Sequence, residues 1–594
     1  MSHEIHEHDV LVIGAGGAGL RAAIEASALG VSVGLVSKSL LGKAHTVMAE
    51  GGMAASLGNT DDRDDWKMHF RDTIRGGKMM GNWKMVEIFA KEAPDRVNEL
   101  EEWGALFDRT EDGRIAQRNF GGHRYPRLAH VGDRTGLEMI RTLQNHGIHQ
   151  GVDIYMECTI VELLMDGDRI AGAFGYWRES GKFVIFKAKA VILATGGVGK
   201  CYRFTSNSWE CTGDGQALAY RAGASLVGME FVQFHPTGMI WPPSVRGVLV
   251  TEGVRGDGGI LKNNLGERFM FNYIPEMFAA ETADTVEEAS RWLEKDPNAR
   301  RPPELLTRDV VARSIRAERL AGRGSPHGGA FLDIASQRSP EYIKRKLPSM
   351  YHQFKHLGNL DITKEPMEVG PTCHYIMGGV LVDPETAGSD VPGLYSAGEA
   401  AGGLHGANRL GGNSLTDLIV FGRRAGQYAA EYAKSLKSSI KISDAQLKQV
   451  EKVAIAPFED SGKENPYQVF QDLQSCMELN SGIVRVKSEL ETCLVELEKL
   501  KERAAKVKVE GNRHFNSGWH YALDLRNLLT VSEAISLSAL HREESRGGHT
   551  REDFPDSTEK FEKVITIVKE KGGKMTWKHE PKSEMPEELK ELLA

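Results

Sequence analysis

The sequence predicts an α/β protein in which a doubly wound nucleotide-binding fold is interrupted by a capping (lid) domain and followed by helices. An apolar run with strand character precedes a glycine-rich turn at residues 14–19, and helix-forming residues follow it. A second strand-to-glycine turn occurs at residues 190–197, and similar signals return at residues 393–399 after a long stretch with a different periodicity. Strands and helices that alternate through short glycine turns are typical of a parallel sheet that binds nucleotides at its carboxyl edge.

The first glycine-rich turn is the most direct indication of a bound dinucleotide. It has the GxGxxG pattern and consists of Gly14, Ala15, Gly16, Gly17, Ala18 and Gly19. Such a turn lets backbone N–H groups and a helix N-terminus hold a pyrophosphate, although the pattern alone also fits a surface turn without a ligand. The acidic residue that would bind the ribose of NAD is missing, because the second strand, 31–36, ends in Ser37 and Lys38. This absence argues against NAD.

The length and the pattern changes predict several domains. A chain of 594 residues is too long for a single core. We assign residues 1–237 and 366–430 to a Rossmann-like nucleotide-binding domain, 238–365 to the capping domain, 431–544 to a helical domain and 545–594 to a small C-terminal domain. The helical assignment rests on apolar residues that recur every three or four positions. These residues are Val486, Leu490, Cys493, Leu497 and Leu500.

Composition and charge exclude several classes of protein. A net charge of −8 disfavours binding to nucleic acid or to an anionic membrane surface. No apolar run approaches the roughly 18 residues of a membrane span, and a first strand beginning by Asp9 leaves no room for a presequence. The six cysteines form no CxxC pair, so we expect reduced thiols, a cytoplasmic location, no metal site and no iron–sulfur cluster on this chain.

Four separated clusters carry the residues that could perform chemistry. They lie at residues 234–256, 308–314, 370–379 and 405–415. Together they supply several cationic or hydrogen-donating side chains and a single obvious acid, which suits a small dianion held by arginine–carboxylate bonds.

Each prominent residue also has a simpler interpretation. Arg308 could pair with Asp309 at a helix start, His374 could be a buried histidine bonded to backbone, and Arg409 could cap a loop. Asp214 could bond a ribose or cap a helix at 216–222, with equal weight for the two readings.

A further motif lies at residues 37–52 and contains Ser37-Lys38, His45-Thr46 and Ala49-Glu50-Gly51-Gly52. This motif and the four clusters resemble the flavoprotein subunits of succinate dehydrogenases and fumarate reductases, in order and nearly letter for letter, to about residue 555. The resemblance implies FAD attached covalently through His45. It places the following residues on FAD: residues 14–19, Ser37, Lys38, His45, Thr46, Ala49, Glu50, Gly51, Gly52, Asp214, Glu399, Ser414 and Leu415. It assigns both carboxylates of succinate or fumarate to His235, Thr251, His374 and Arg409.

The resemblance also implies a mechanism. A hydride passes between a substrate methylene and the flavin, Arg308 transfers the other proton, and Glu252 with Arg255 form a relay to solvent. Free arginine titrates above pH 12, so its use as a base in succinate oxidation requires neighbouring positive charge and the relay.

The resemblance leaves the direction of the reaction open. The main expectation is succinate oxidation, with fumarate reduction as the alternative. Dehydrogenases of this family usually carry glutamine, and reductases glutamate, at the position of Glu50. A carboxylate there lowers the flavin potential and so favours reduction. L-Aspartate oxidase is a more distant alternative, since it lacks the histidine at position 45, and a flavin-bearing relay subunit without dicarboxylate chemistry is the non-enzyme alternative.

The resemblance implies two kinds of partner: an iron–sulfur subunit, and one or more membrane anchor subunits with a quinone site. We expect no nucleic-acid partner. These partners would hold the chain peripherally at the cytoplasmic face of a bacterial inner membrane.

Overall fold

The computed structural model describes residues 3–593 apart from Lys295, Pro297, Asp460 and Ser461. The strands are β1 (Glu4–Ile13), β2 (Val33–Val36), β3 (Met53–Ala54), β4 (Gln117–Arg118), β5 (Leu128–Ala129), β6 (Asp153–Tyr155), β7 (Cys158–Asp166), β8 (Arg169–Trp177), β9 (Phe183–Leu193), β10 (Leu226–Val227), β11 (Val232–Trp241), β12 (Ile260–Lys262), β13 (Ala330–Asp333), β14 (Met367–Ile376), β15 (Gly379–Leu381), β16 (Leu394–Ser396), β17 (Ala401–Gly402), β18 (Val564–Lys571) and β19 (Lys574–Pro581). The helices are α1 (Gly17–Ala28), α2 (Trp66–Gly76), α3 (Trp83–Glu102), α4 (Thr135–Ile148), α5 (Asp214–Arg221), α6 (Glu252–Gly256), α7 (Glu276–Ala279), α8 (Val286–Leu293), α9 (Arg308–Leu320), α10 (Pro340–Lys346), α11 (Pro348–Gly358), α12 (Asn413–Ser435), α13 (Asp444–Ile455), α14 (Pro466–Asn480), α15 (Lys487–Ala504), α16 (Ser517–His541), α17 (Glu559–Glu562) and α18 (Glu587–Lys590).

The largest sheet has seven strands in the order β6-β2-β1-β9-β8-β7, with β16 paired to β9. Strand β1 is parallel to both β2 and β9, and its last residue, Ile13, lies opposite Val36 and Leu193. Strand β16 is also parallel to β9, with Ser396 opposite Leu193. The carboxyl ends of four strands therefore meet at one edge, where an α/β sheet binds its ligands. The predicted fold class is confirmed.

Three predicted boundaries differ from the observed ones. Strand β1 begins at Glu4 rather than at Asp9, because its first residues continue the parallel pairing with β9. Strand β2 begins two residues later than predicted, at Val33. Helix α5 begins at Asp214 instead of residue 216, after Gly213 in the left-handed region with φ +71°.

The region of the predicted lid has its own sheet and its own core. Strands β11, β14, β13 and β12 form a four-stranded antiparallel sheet in that order. A separate cluster of buried apolar side chains extends from Met239 to Val369 and includes Leu261, Val311 and Phe354. The division of the chain at residues 238 and 365 stays a prediction, although this core lies close to those limits.

Helices α14, α15 and α16 pack against one another after the nucleotide-binding part. The apolar stripe of α15 faces this packing, because Leu490, Cys493, Leu497 and Leu500 are all buried. Val486 is the residue that precedes the helix. All six cysteines are buried and unpaired. Within the described residues, no helix is long and apolar enough to cross a bilayer.

The C-terminal part returns to the nucleotide-binding domain. Strands β18 and β19 form a hairpin, and β18 pairs with β10 in a five-stranded sheet. A buried ion-pair network joins the two parts. Arg542 donates through Nε to Glu230 at 2.6 Å and through Nη1 to Glu544 at 3.0 Å, and all three side chains are fully buried.

We expect Arg542→Met to lower the free energy of unfolding by about 3–5 kcal/mol, because it leaves the buried carboxylate of Glu230 without its cation. Arg63→Met is the matched control, since the Arg63 side chain is 68% exposed where it pairs with Asp61. An exposed pair contributes little to stability, so the control should unfold like the unmodified protein. Urea unfolding followed by circular dichroism measures both. Equal losses in the two variants would show that the buried network does not hold the C-terminal part in place.

Candidate functional site

A cavity of about 480 Å³ opens at the carboxyl edge of the large sheet. Its walls come from the glycine turn after β1, the segment 36–52, the ends of β9 and β16, and the lid segment 246–252. Every residue that the sequence predicts for the cofactor and the dicarboxylate lines this cavity, except Gly19. Arg255 of the predicted relay also lies behind the wall. The folded chain thus brings residues that are more than 300 positions apart in the sequence together around one cavity.

The glycine turn is built for close approach of a phosphate to backbone. Helix α1 begins at Gly17 after the glycine N-cap Gly16, and residues 14–18 line the cavity. The N–H of Gly17 donates to the hydroxyl of Thr46 at 3.2 Å. Gly14 has φ +110°, and a Cβ there would lie 2.2 Å from the carbonyl oxygen of Ala194. A Cβ at Gly19 would lie 1.8 Å from the Gly14 carbonyl. Because Gly19 has no side chain, helix α1 can pack closely against the turn. Gly19 itself does not line the cavity.

Lys38 connects the cavity to the helical part of the chain. Its Nζ donates to Asp214 at 3.1 Å and to Asp524 of α16 at 2.6 Å. Burial opposes the charge on Lys38, but the two carboxylates outweigh it and raise the lysine pKa. Asp214 also accepts bonds from Thr212 and Asn527, both at 2.8 Å. The capping alternative for Asp214 is wrong, because the residue lies inside the first turn of α5 with its carboxylate on Lys38. Its contact with a ribose stays a prediction.

His45 starts a short 3₁₀ turn, His45–Met48, and faces the cavity. Its Nδ1 accepts a bond from the backbone N–H of Ser208 at 3.3 Å, and its Nε2 lies 3.4 Å from Nδ2 of Asn207. Burial lowers the pKa of His45 to about 4, so the imidazole is neutral at neutral pH.

The segment 206–208 holds two of the three histidines that line the cavity, and its role was not predicted from the sequence. Asn207 donates to the carbonyl oxygen of His374 at 2.8 Å, and the Ser206 hydroxyl lies 2.8 Å from Nδ1 of His374. The same three residues therefore position His45 and His374. No motif marks this segment, and only its place shortly after the second glycine turn hints at it.

Two arginines of the cavity share one amide oxygen. Oε1 of Gln233 accepts a bond from Nη1 of Arg308 and another from Nη2 of Arg409, each at 3.2 Å. Its Nε2 donates to Oδ1 of Asn408 at 3.0 Å and to the carbonyl of Arg409 at 2.8 Å. Gln233 is the second residue missed from the sequence. The available signal is its place two residues before His235 on one strand, where alternate residues share a face.

A chain of charged groups leads from Arg308 away from the cavity. The carboxylate of Glu252 accepts from Nε of Arg308 at 3.1 Å and from the N–H of Gly121 at 3.0 Å. Arg255 approaches the same carboxylate at 3.7 Å and donates through its Nη1 to the carbonyl of Glu304. Burial alone would raise the pKa of Glu252, but the two arginines and these hydrogen bonds hold it below its usual value. Glu252 is therefore an anion between two cations.

Two histidines and a threonine lie beside these charged groups in the cavity wall. The rings of His235 and His374 are 5.1 Å apart, and burial together with the nearby arginines lowers both pKa values well below the usual one. Thr251 precedes helix α6 and accepts the N–H of Gly253. Two arginines and one carboxylate leave this part of the cavity with net positive charge. Among the described atoms, Nε2 of His235 and Nε of Arg409 are buried without a partner.

The wall behind Arg409 belongs to helix α12 and the loop before it. Arg409 donates from Nη1 to the hydroxyl of Ser414 at 2.6 Å, and its guanidinium lies 4.2 Å from the ring centre of Tyr375. Glu399 accepts the N–H of Ile376 at 3.0 Å, and burial raises the pKa of its carboxyl to about 7. Burial and the charge of Arg308 lower the pKa of Arg409 to about 10, which still leaves it protonated.

Two family models match the chain. The model of an FAD binding domain matches residues 9–415, and the model described as fumarate reductase flavoprotein C-term matches residues 470–590. The two matched ranges contain every residue of the cavity described above and most of the helical and C-terminal parts.

Similar proteins match over nearly their whole length. One subunit of the fumarate reductase (CoM/CoB) from Methanothermobacter marburgensis is 44% identical over 568 residues, which cover 96% of this chain and 98% of the relative. The succinate dehydrogenase flavoprotein subunit of Coxiella burnetii is 38% identical over 584 residues, covering 93% of each chain. Among solved structures, Mycobacterium smegmatis Sdh1 in complex with UQ1 gives a TM-score of 0.86 at 54% identity, covering 98% of this chain and 95% of the other.

Proposed function

This chain belongs to the family of succinate dehydrogenase and fumarate reductase flavoprotein subunits, and we propose that its cavity exchanges a hydride between succinate or fumarate and FAD. The observation that carries the proposal is the pair Arg308 and Arg409, held on the oxygen of Gln233 in the same cavity as His45. One arginine of the pair is bonded to a carboxylate and the other is not. The two are thus suited to different tasks.

FAD is the cofactor of this family, and the residues of the cavity fit it. The glycine-rich N-terminus of α1 suits the pyrophosphate, and Lys38 with Asp214 lies at the second strand end, where a ribose would be bound. When bound, FAD supplies or accepts the hydride. We propose that His45 carries the covalent bond, since its imidazole is neutral and faces the cavity. An electron-withdrawing bond of this kind would raise the flavin potential enough for succinate, a weak reductant, to reduce it.

We propose that Arg409, His235, His374 and Thr251 bind the substrate carboxylates. Arg409 is charged and buried, and its Nε lacks a partner among the described atoms, so a carboxylate would complete its hydrogen bonds. The unpaired Nε2 of His235 offers a second donor. A dianion in the positive part of the cavity would be fixed at both ends, and such fixation lowers the barrier of the chemical step.

We propose that Arg308 transfers the proton, with Glu252 and Arg255 as its relay. During fumarate reduction Arg308 donates a proton to the substrate carbon. The carboxylate of Glu252 lies 3.1 Å from Nε of Arg308 and is positioned to return a proton to the arginine. During succinate oxidation Glu252 accepts, through the same contact, the proton that Arg308 has taken from the substrate. Arg255 lies beyond Glu252, on the side away from the cavity, and extends the path.

The effect of Glu50 on the direction of the reaction stays a prediction. The expectation from the sequence treats it as a charged carboxylate that lowers the flavin potential. Burial and the nearby carboxylate of Asp133 raise the pKa of Glu50 well above its usual value, against the opposite effect of Arg118. A raised pKa favours the neutral carboxyl, which lowers the flavin potential less than a carboxylate does. Oxidation of succinate and reduction of fumarate are both consistent with the site.

We propose that the chain works with a membrane anchor that carries a quinone site and with an iron–sulfur subunit. Electrons that leave FAD need a carrier, and the six cysteines lie buried and unpaired. One similar structure is titled as a complex with UQ1. The partners would hold the chain at the cytoplasmic face of the membrane.

The purified complex should interconvert succinate and fumarate and should not oxidise L-aspartate, because the positive charge of Arg308 and Arg409 repels the ammonium group that aspartate carries between its two carboxylates. Rates with a dye acceptor in the forward direction and with a reduced viologen in the reverse direction test this. Activity only with aspartate would support the aspartate oxidase alternative. Inactivity with all three substrates would support a relay subunit.

FAD should stay on the polypeptide after acid precipitation, and His45→Ser should release it while retaining noncovalent binding. Flavin fluorescence in a denaturing gel measures the attachment, and a native absorption spectrum measures the binding. The variant should lose succinate oxidation far more than fumarate reduction, because its flavin potential falls. Flavin that washes off the unmodified protein would rule out the covalent bond.

Arg308→Lys should abolish turnover in both directions and leave dicarboxylate binding largely intact, since lysine keeps the charge but loses the planar fork. Arg409→Ala should instead weaken binding by about 2–5 kcal/mol, because desolvated carboxylate oxygens lose their partner. Titration of the flavin spectrum with malonate separates the two effects. If Arg308→Lys keeps about a tenth of the rate or more, Arg308 is not the proton donor.

A further inference from the structure

The loop that carries Arg409 is in contact with a segment near the C-terminus, residues 546–548, which we name the C-terminal strap. The N–H of Gly548 donates to the carbonyl oxygen of Ala407 at 2.7 Å, two residues before Arg409. Gly547 has φ +56°, and a Cβ there would lie 2.4 Å from the same carbonyl oxygen. The strap therefore touches the backbone of the Arg409 loop with no room for a side chain.

The strap itself is anchored by Arg546. Its guanidinium donates to Glu544 at 2.8 Å and 3.0 Å and to the carbonyl of Thr558 at 3.0 Å. Glu544 is fully buried and also pairs with Arg542. These bonds belong to the ion-pair network that joins the C-terminal part to the nucleotide-binding domain, so the strap has a fixed position.

A strained turn contacts the other side of the same loop. The N–H of Ala407 donates to the carbonyl of Gly77 at 2.9 Å, and the Asn408 side chain donates to the carbonyl of Gly76 at 3.1 Å. Lys78 and Met79, which follow, both have positive φ, at 55° and 64°. Such conformations persist only where the surroundings fix them. Arg546 donates to the Lys78 carbonyl at 3.2 Å, so one side chain holds both the turn and the strap.

The strap also lies beside the strand that carries Gln233. A Cβ at Gly548 would be 2.8 Å from the carbonyl oxygen of Val232, the residue before Gln233. Gln233 bonds to the Arg409 carbonyl and to both guanidinium groups. A shift of the strap would therefore move Arg409 and Gln233 together.

We propose that Gly547 and Gly548 are positioning residues that set the place of Arg409, so that dicarboxylate affinity depends on the C-terminal part of the chain. This inference rests on the proposed function, in which Arg409 binds a substrate carboxylate. It extends that function from the cavity to a segment which touches neither substrate nor cofactor. A displaced anchor weakens binding first. Arg308 would lose its bond to Gln233 but keep its bond to Glu252, so the proton path changes less.

The test compares Gly547→Ala with Gly572→Ala in the assembled complex. Gly572 lies in the turn between β18 and β19 with φ +62°, and a Cβ there would meet nothing within 4 Å. Both substitutions place alanine in the same left-handed conformation, but only the first meets the Arg409 loop. Gly547→Ala should raise the malonate Kd and the succinate KM by about tenfold or more, with a smaller change in kcat, because the displaced guanidinium loses a charged hydrogen bond to the substrate carboxylate. Gly572→Ala should leave Kd and KM within about twofold, because its added strain meets no part of the site.

Arg546→Lys provides the second variant if Gly547→Ala does not assemble. It keeps a cation against Glu544 but loses the planar fork that reaches Lys78, and it should also raise the malonate Kd. An unchanged malonate Kd in the strap variant that assembles overturns the inference. A parallel loss of bound FAD would also overturn it, because the strap would then act on the whole fold.

Arg409→Ala separates this inference from the function on which it rests. If this variant binds malonate normally, the proposed role of Arg409 fails, and the inference about the strap fails with it. If Arg409→Ala weakens malonate binding and neither strap variant does, the proposed function stands and only the inference about the strap is wrong.

Discussion

The cavity depends on one amide oxygen that accepts hydrogen bonds from two arginines. Two guanidinium groups repel each other, and burial makes that repulsion stronger because less water screens it. Gln233 offsets it with a neutral acceptor 3.2 Å from each, and Glu252 adds a negative charge on the far side of Arg308. The remaining positive charge is left for a ligand. A carboxylate in place of Gln233 would pair with both arginines and remove the charge that a dianion needs.

The local pattern of the sequence was sufficient to predict the fold. Strand, glycine turn and helix follow one another within 20 residues at Gly14, and burial of the sheet edge fixes where their ends meet. The apolar residues along one face of α15 were also predicted from the local sequence pattern alone. The boundaries at Glu4 and Asp214 could not be read in this way, because pairing with a distant strand and a left-handed Gly213 decide them.

The candidate site was predictable where its residues stand in dense motifs, as around His235 and Arg409. Residues whose role comes only from long-range hydrogen bonds were not. Gln233, Asn207 and Asp524 are of this kind, since each has an ordinary neighbourhood and gains its role from a partner far along the chain. The raised pKa of Glu50 was also beyond reach, because it comes from burial, which the sequence does not give.

The bond between Lys38 and Asp524 has a consequence for how the protein is made. The two residues are 486 positions apart, and Lys38 borders the cavity. At about 5–20 residues per second, a ribosome needs roughly 25–100 s to add Asp524 after Lys38 has been synthesised. The sheet edge is complete only after β16, Leu394–Ser396, has been made, and its buried lysine still lacks one of two carboxylates until α16 emerges. Tight loading of the cofactor therefore belongs to the end of synthesis, when nearly nine-tenths of the chain has been translated.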